Sequence, residues 1–207
     1  MNQKLLYVVG TLLIIFAFLI GNRFTAFDFG RSGTSIQNTS LGSAPVVLAA
    51  GSTEKFNFLS QQRSSSCGLQ PVSVEGYSDD QRIQGSCCSP MDLHRYQEQV
   101  EGLKQYSHIS QIPEDPYDIS AALAKELFGY QKSITLTTEQ QKIYDQAMEL
   151  SHEGGPCCCK CWRWHAFEGQ AKYLITQYNW NSQQIADLWD LQDGCGGAGQ
   201  THGEGHT

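Results

Sequence analysis

Cys157, Cys158, Cys159 and Cys161 stand within five consecutive residues, with Lys160 the one interruption. Gly154-Gly155-Pro156 leads into them. In an extended chain successive side chains point to opposite faces and alternate ones, though on one face, stand ~6.6 Å apart, so these thiols act together on one ion only if the segment bends or opens a helix. The fold must therefore supply a turn here and a scaffold on both sides of it. Thiolates are soft ligands suited to Cu(I), Zn(II) and iron–sulfur clusters, and they also exchange disulfides.

The spacing allows several chemistries. Cys157, Cys159 and Cys161 form C-x-C-x-C, while Cys158 and Cys161 form C-x-x-C. Three converging thiolates suit trigonal Cu(I), and four suit tetrahedral Zn(II) at a Zn–S distance of ~2.3 Å. The sequence has no second C-x-x-C to make a two-knuckle zinc finger. Cys87, Cys88, Cys195, Met91, His152 and His165 are the candidates for completing a site. A Met91 thioether would favour Cu(I). His165 follows Cys161 by four residues, which places the two on one helical face. His94 lies one turn beyond Met91, and His202, Glu204 and His206 form an H-x-E-x-H tail. The competing reading is structural: the four clustered cysteines pair with Cys67, Cys87, Cys88 and Cys195. Four bridges around so short a segment would be crowded, because each needs its Cα atoms ~4.4–6.8 Å apart.

The chain of 207 residues carries a net charge of −7, from 21 acidic against 14 basic side chains. A nucleic-acid-binding surface needs a basic footprint, so no nucleic-acid partner is expected. No Ser/His/Asp arrangement, phosphate-cradling glycine loop, H-E-x-x-H or C-x-x-C-H occurs, and the chain reads as a binding protein more than an enzyme.

Residues 5–21, LLYVVGTLLIIFAFLIG, are free of charge. A transmembrane helix needs ~17–25 apolar residues, and no A-x-A cleavage site follows this run. It is read as an uncleaved signal anchor in preference to a cleaved signal peptide. The expected location is a single pass in the cell membrane with the C-terminal domain extracytoplasmic.

Six segments follow from texture. Residues 1–4 are a short flank, 5–21 the anchor and 22–66 a Gly/Ser-rich tether. Residues 67–88 are loop-rich, 89–195 a helical domain carrying the cysteine cluster, and 196–207 a flexible Gly/His tail. The domain reads as all-α with about five helices. Ser89-Pro90 opens the first, with Leu93, Tyr96, Val100 and Leu103 on one face. A second begins at Asp115-Pro116 and stops at Gly129. The third has Thr138 and Gln141 in a capping box. The fourth runs from Trp162 to Tyr178, and the fifth is capped by Asn181 or Ser182 and ended by Gly194. The thiols thus precede a helix N-terminus, which lowers thiol pKa.

Pro156, Cys157, Cys159 and Cys161, with the amphipathic helix from Glu139 to Ser151, resemble the PCYCGC-motif family of bacterial surface proteins. The resemblance covers about residues 137–197. Cys158 and Lys160 stand where that motif has Tyr and Gly. It implies a membrane-attached, extracytoplasmic protein with a metal role; a metal-donor or metal-acceptor protein is the expected partner of such a metal-binding chain. Cys161 followed by a helix and then Asn179-Trp180-Asn181-Ser182-Gln183-Gln184-Ile185 is similar to the cytochrome c maturation thiol-reductase family. That second resemblance implies a redox pair at Cys158 and Cys161. The leading expectation is a membrane-anchored protein holding Cu(I), with Zn(II) as the other metal, through Cys157, Cys159 and Cys161 completed from Cys158, Cys87, Cys88 and Cys195. The alternatives are a thiol–disulfide oxidoreductase and a disulfide-stabilised surface interaction protein.

Overall fold

The computed structural model describes residues 47–65 and 74–195. The apolar run 5–21, the first part of the expected tether, Cys67 and the 196–207 tail lie outside the described residues. None of the described helices is long and apolar enough to cross a membrane.

Six α-helices, two 3₁₀ turns (Val74–Gly76 and Lys104–Tyr106) and one two-stranded sheet make up the regular structure among the described residues. The expected helical class holds, with a small β element added. Helix α1 (Thr53–Leu59) falls inside the stretch read as tether. Ser52 caps it by accepting the Lys55 N–H, and Leu59 is fully buried with Met91, Tyr96, Val100 and Tyr117. About two turns with one buried anchor give too little periodicity to be seen in sequence.

Strand β1 (Arg82–Gln84) pairs antiparallel with β2 (Asp118–Ser120), placing buried Ile83 opposite buried Ile119. Helix α2 (Leu93–Leu103) starts three residues later than Ser89-Pro90 suggested. Its cap is Asp92, which accepts the Arg95 N–H. The Ser89 N–H is engaged elsewhere, donating to the Cys195 carbonyl at 2.6 Å. Helix α3 (Ala121–Ser133) likewise starts after Asp115-Pro116, because residues 118–120 are taken up by β2, and Ser120 caps it. It also runs through Gly129, since the buried face of Ala121, Ala124 and Leu127 lies within the helix and no chain reversal is needed there.

Helix α4 (Thr138–Leu150) has its capping box one residue earlier than expected, at Thr137 and Gln140. Helix α5 (Trp162–Tyr178) has the expected bounds and ends at Asn179 in the left-handed conformation, φ 53°. Helix α6 (Ser182–Gln192) is capped by a box of Asn181 and Gln184 and buries Ile185, Leu188 and Trp189.

The main core lies among α3, α4, α5 and α6. Helices α3 and α5 pack most extensively. Their approach depends on Gly169, where a Cβ would collide with the Leu127 carbonyl oxygen. On the other side Tyr144 of α4 meets Trp189 of α6 edge to face, with ring centroids 5.4 Å apart. Phe167, Leu174, Ile185 and Leu188 fill the space between, each fully or almost fully buried. Full burial of such a side chain contributes ~1.5–3 kcal/mol. This packing fixes the N-terminus of α5 against the segments that follow β1 and α6, and there the cysteines meet.

Candidate metal centre

Residues 157–161 do not extend; they bend. The Cys161 N–H donates to the Cys159 carbonyl at 2.8 Å, closing a tight turn. Cys161 is the residue before the first turn of α5, with extended backbone and no side-chain capping bond. The bend closes the spacing that an extended segment would leave between its thiols. Cys157 and Cys161 thus approach to 3.9 Å between Sγ atoms.

Two further segments complete the group. Cys87 follows β1 and Cys195 follows α6. Their backbones are stitched together, with the Cys87 N–H on the Gly194 carbonyl at 3.0 Å and the Ser89 N–H on the Cys195 carbonyl at 2.6 Å. Cys87 Sγ lies 3.9 Å from Cys195 Sγ, which lies 3.6 Å from Cys157 Sγ. Cys88 Sγ lies 3.4 Å from Cys87 Sγ and 3.7 Å from both Cys158 and Cys159. Seven cysteines thus form one cluster drawn from three parts of the chain. Six of them are free thiols, while Cys88 is in a disulfide.

The Sγ atoms of Cys87, Cys157, Cys159 and Cys161 all lie within 4.8 Å of one another. A tetrahedral ion with bonds of ~2.3 Å to sulfur holds its ligands about 3.8 Å apart. The 3.9 Å between Cys157 and Cys161 already matches that spacing. A second group within the same limit is Cys157, Cys158 and Cys195. Cys87, Cys157, Cys161 and Cys195 are buried, Cys159 is half-buried and Cys158 is exposed. The cluster therefore has one open edge, at Cys158. Trp164 packs against it from α5, and the Lys160 ammonium sits 5.4 Å from the Trp164 ring centre.

Protonation is unevenly distributed. The Cys87 thiol is pushed far up, foremost by hydrogen bonds to Cys157, Cys161 and Cys195, then by burial. Cys157 is lowered, first by a hydrogen bond from Cys161, and Cys195 is lowered by bonds with Cys157 and Cys87. Loss of water around them raises Cys158 to about 12 and Cys159 to about 11. Negative charge is thus favoured at Cys157 and Cys195 and disfavoured at Cys87, Cys158 and Cys159.

Arg163 holds the scaffold together. It is fully buried. Its Nη1 donates to the Pro116 carbonyl at 2.5 Å and its Nη2 to the Gly85 carbonyl at 3.3 Å. Its guanidinium lies 4.9 Å from the Trp162 ring centre and 5.7 Å from that of Tyr117. Gly194 leaves room for it, since a Cβ there would collide with the guanidinium. One side chain, two residues past Cys161, therefore touches the approach to Cys87 and the approach to Cys195. The Asp193 carbonyl is also held, by Gln99 Nε2 at 2.7 Å and the Tyr117 hydroxyl at 3.1 Å. Sequence reasoning missed Arg163, and an arginine after a cysteine carries no signal of its own. Trp162 lies in the main core, whereas Trp164 covers the thiols.

The other candidates lie elsewhere. Met91 packs in the apolar cluster with Leu59, Tyr96, Val100 and Tyr117. The His165 ring lies 5.8 Å from the Phe128 ring, and among the described residues His165 belongs to no group of converging ligand atoms. His152 Nδ1 pairs with Asp190 at 3.2 Å, and exposed His94 pairs with Glu98 at 3.1 Å. Cys67, His202, Glu204 and His206 lie outside the described residues. Compared with known proteins, the chain matches no family model, no curated protein and no solved structure.

Proposed function

We propose that this protein binds a soft metal ion, Cu(I) above Zn(II), through the thiolates of Cys157, Cys159 and Cys161 with Cys87. It would store the ion or exchange it with a donor or acceptor protein. We also propose the location that residues 5–21 imply: anchored in a membrane, with the thiol domain extracytoplasmic. The observation that carries the reading is the convergence of four Sγ atoms within 4.8 Å from two distant parts of the chain. An all-sulfur ligand set selects soft ions. No carboxylate or imidazole joins the group among the described residues, so hard ions such as Ca²⁺ and Mg²⁺ find no partners there. Protein purified without oxygen and assayed for metal and free thiols tests this. Retention of Cu(I) against a Cu(I) chelator supports it, and thiols that hold neither Cu(I) nor Zn(II) overturn it.

Thiol–disulfide exchange is the second reading, favoured by one observation: the disulfide-bonded Cys88 lies 3.7 Å from the Cys158 and Cys159 sulfurs. In such a step the Cys158 thiolate attacks Cys88 Sγ, a Cys158–Cys88 bond forms, and the former partner of Cys88 leaves as thiolate. An attacking thiol works best with a pKa near ambient pH. Cys158, the exposed thiol, is instead held up at about 12, which is why metal binding ranks first. Trapping a mixed disulfide with a substrate protein in Cys158→Ser or Cys161→Ser would reverse that ranking.

A further inference from the structure

We infer that the six free thiols take up Cu(I) as one polynuclear cluster with shared thiolates, not as a single ion. This rests on the metal-binding reading above and deepens it. The ligand groups overlap. Cys157 belongs to the four-thiol group with Cys87, Cys159 and Cys161, and also to the group with Cys158 and Cys195. Cys87 links the same two groups a second time, 3.9 Å from Cys195. A single tetrahedral ion would use four thiolates and leave Cys158 and Cys195 idle, although both lie within 4.8 Å of Cys157.

Thiolate sulfur has lone pairs enough to bridge two soft ions, and Cu(I) accepts three sulfur ligands. If each thiolate bridges two ions and each ion takes three thiolates, six thiolates hold about four Cu(I). About six protons leave as the thiols ionise, and the filled cluster carries a net charge of about −2. No electron is transferred, since copper enters and stays as Cu(I). The arrangement of exposure fits entry of the ions from one side. Cys158 is exposed and Cys159 half-buried, while Cys87, Cys157, Cys161 and Cys195 are buried behind them. Trp164 flanks the same thiols and keeps water from part of their surface.

The test is an anaerobic Cu(I) titration of the full chain, read by native mass spectrometry and by the visible emission of solvent-shielded Cu(I)–thiolate clusters. The expected result is a cooperative passage from the metal-free chain to about four Cu(I), with emission growing in step. The double variant Cys158→Ser/Cys195→Ser keeps the four-thiol group and should fall to about one Cu(I) without emission. Saturation of the unaltered chain at one Cu(I) overturns the shared cluster and leaves the metal-binding reading standing. Retention of no Cu(I) overturns that reading itself. An unchanged stoichiometry in the double variant would also contradict the shared cluster. Because the count on the unaltered chain decides the matter, the inference stays testable even if the variant misfolds.

Discussion

Cys157 and Cys195 are separated by 38 positions in the chain, yet their sulfurs lie 3.6 Å apart in the interior. The contact joins the bend before α5 to the segment after α6, so the cluster closes only when both helices are packed. Cys195→Ser should therefore weaken Cu(I) retention at least tenfold, about 1.4 kcal/mol, while leaving helical content unchanged. Competition against a Cu(I) chelator beside circular dichroism checks this.

Arg163 ties that arrangement to the rest of the fold. Replacing it with Met would leave the Pro116 and Gly85 carbonyls without their donor in a buried setting. The expected cost is about 2–4 kcal/mol of stability in the metal-free protein, read by urea denaturation. Arg163→Lys should recover only part of it, because an ammonium cannot reach both carbonyls in the fork geometry. Cu(I) retention should fall with Arg163→Met even where the domain remains folded.

Much of the helical frame was readable from spacing. Helix α5, with 17 residues, is long and periodic, and its stop at left-handed Asn179 follows an ordinary end signal. Strands of three residues carry too short a pattern to read, so β2 was merged into the helix that follows it. The start of α2 was misplaced because Ser89 looks like a cap, and nothing local reveals that its N–H is bound to Cys195. The thiol run itself was plain in the sequence. Which distant cysteines complete it was not, because it depends on how α5 and α6 pack, and the role of Arg163 is visible only in three dimensions.

The closeness of α3 and α5 gives a test of the frame alone. Gly169→Ala would place a methyl group against the Leu127 carbonyl and force the helices apart. A loss of about 1–3 kcal/mol is expected, seen as a lower Tm in both metal-free and metal-loaded protein. An unchanged Tm would contradict the packing described.

The thiols also predict a pH dependence. Burial raises Cys158 to about 12 and Cys159 to about 11, from an ordinary value of 9.0. The folded state thus favours the protonated thiol. That contribution is complete below about pH 9 and is lost as the pH climbs through 11–12, so the metal-free domain should weaken in alkali. Metal binding runs the other way. Each thiol ionised by uptake releases a proton, and conditional affinity should rise about tenfold per pH unit for each proton displaced. Chelator competition from pH 6 to pH 8 measures the slope.

Copper K-edge X-ray absorption of the loaded full chain tests the central claim most directly. A first shell made only of sulfur, at a distance typical of Cu(I)–thiolate bonds, is the predicted result, and it should persist in His165→Ala and Met91→Leu. A shell containing nitrogen or oxygen ligands, or a sulfur shell that survives replacement of Cys157, Cys159 and Cys161 by serine, would contradict it.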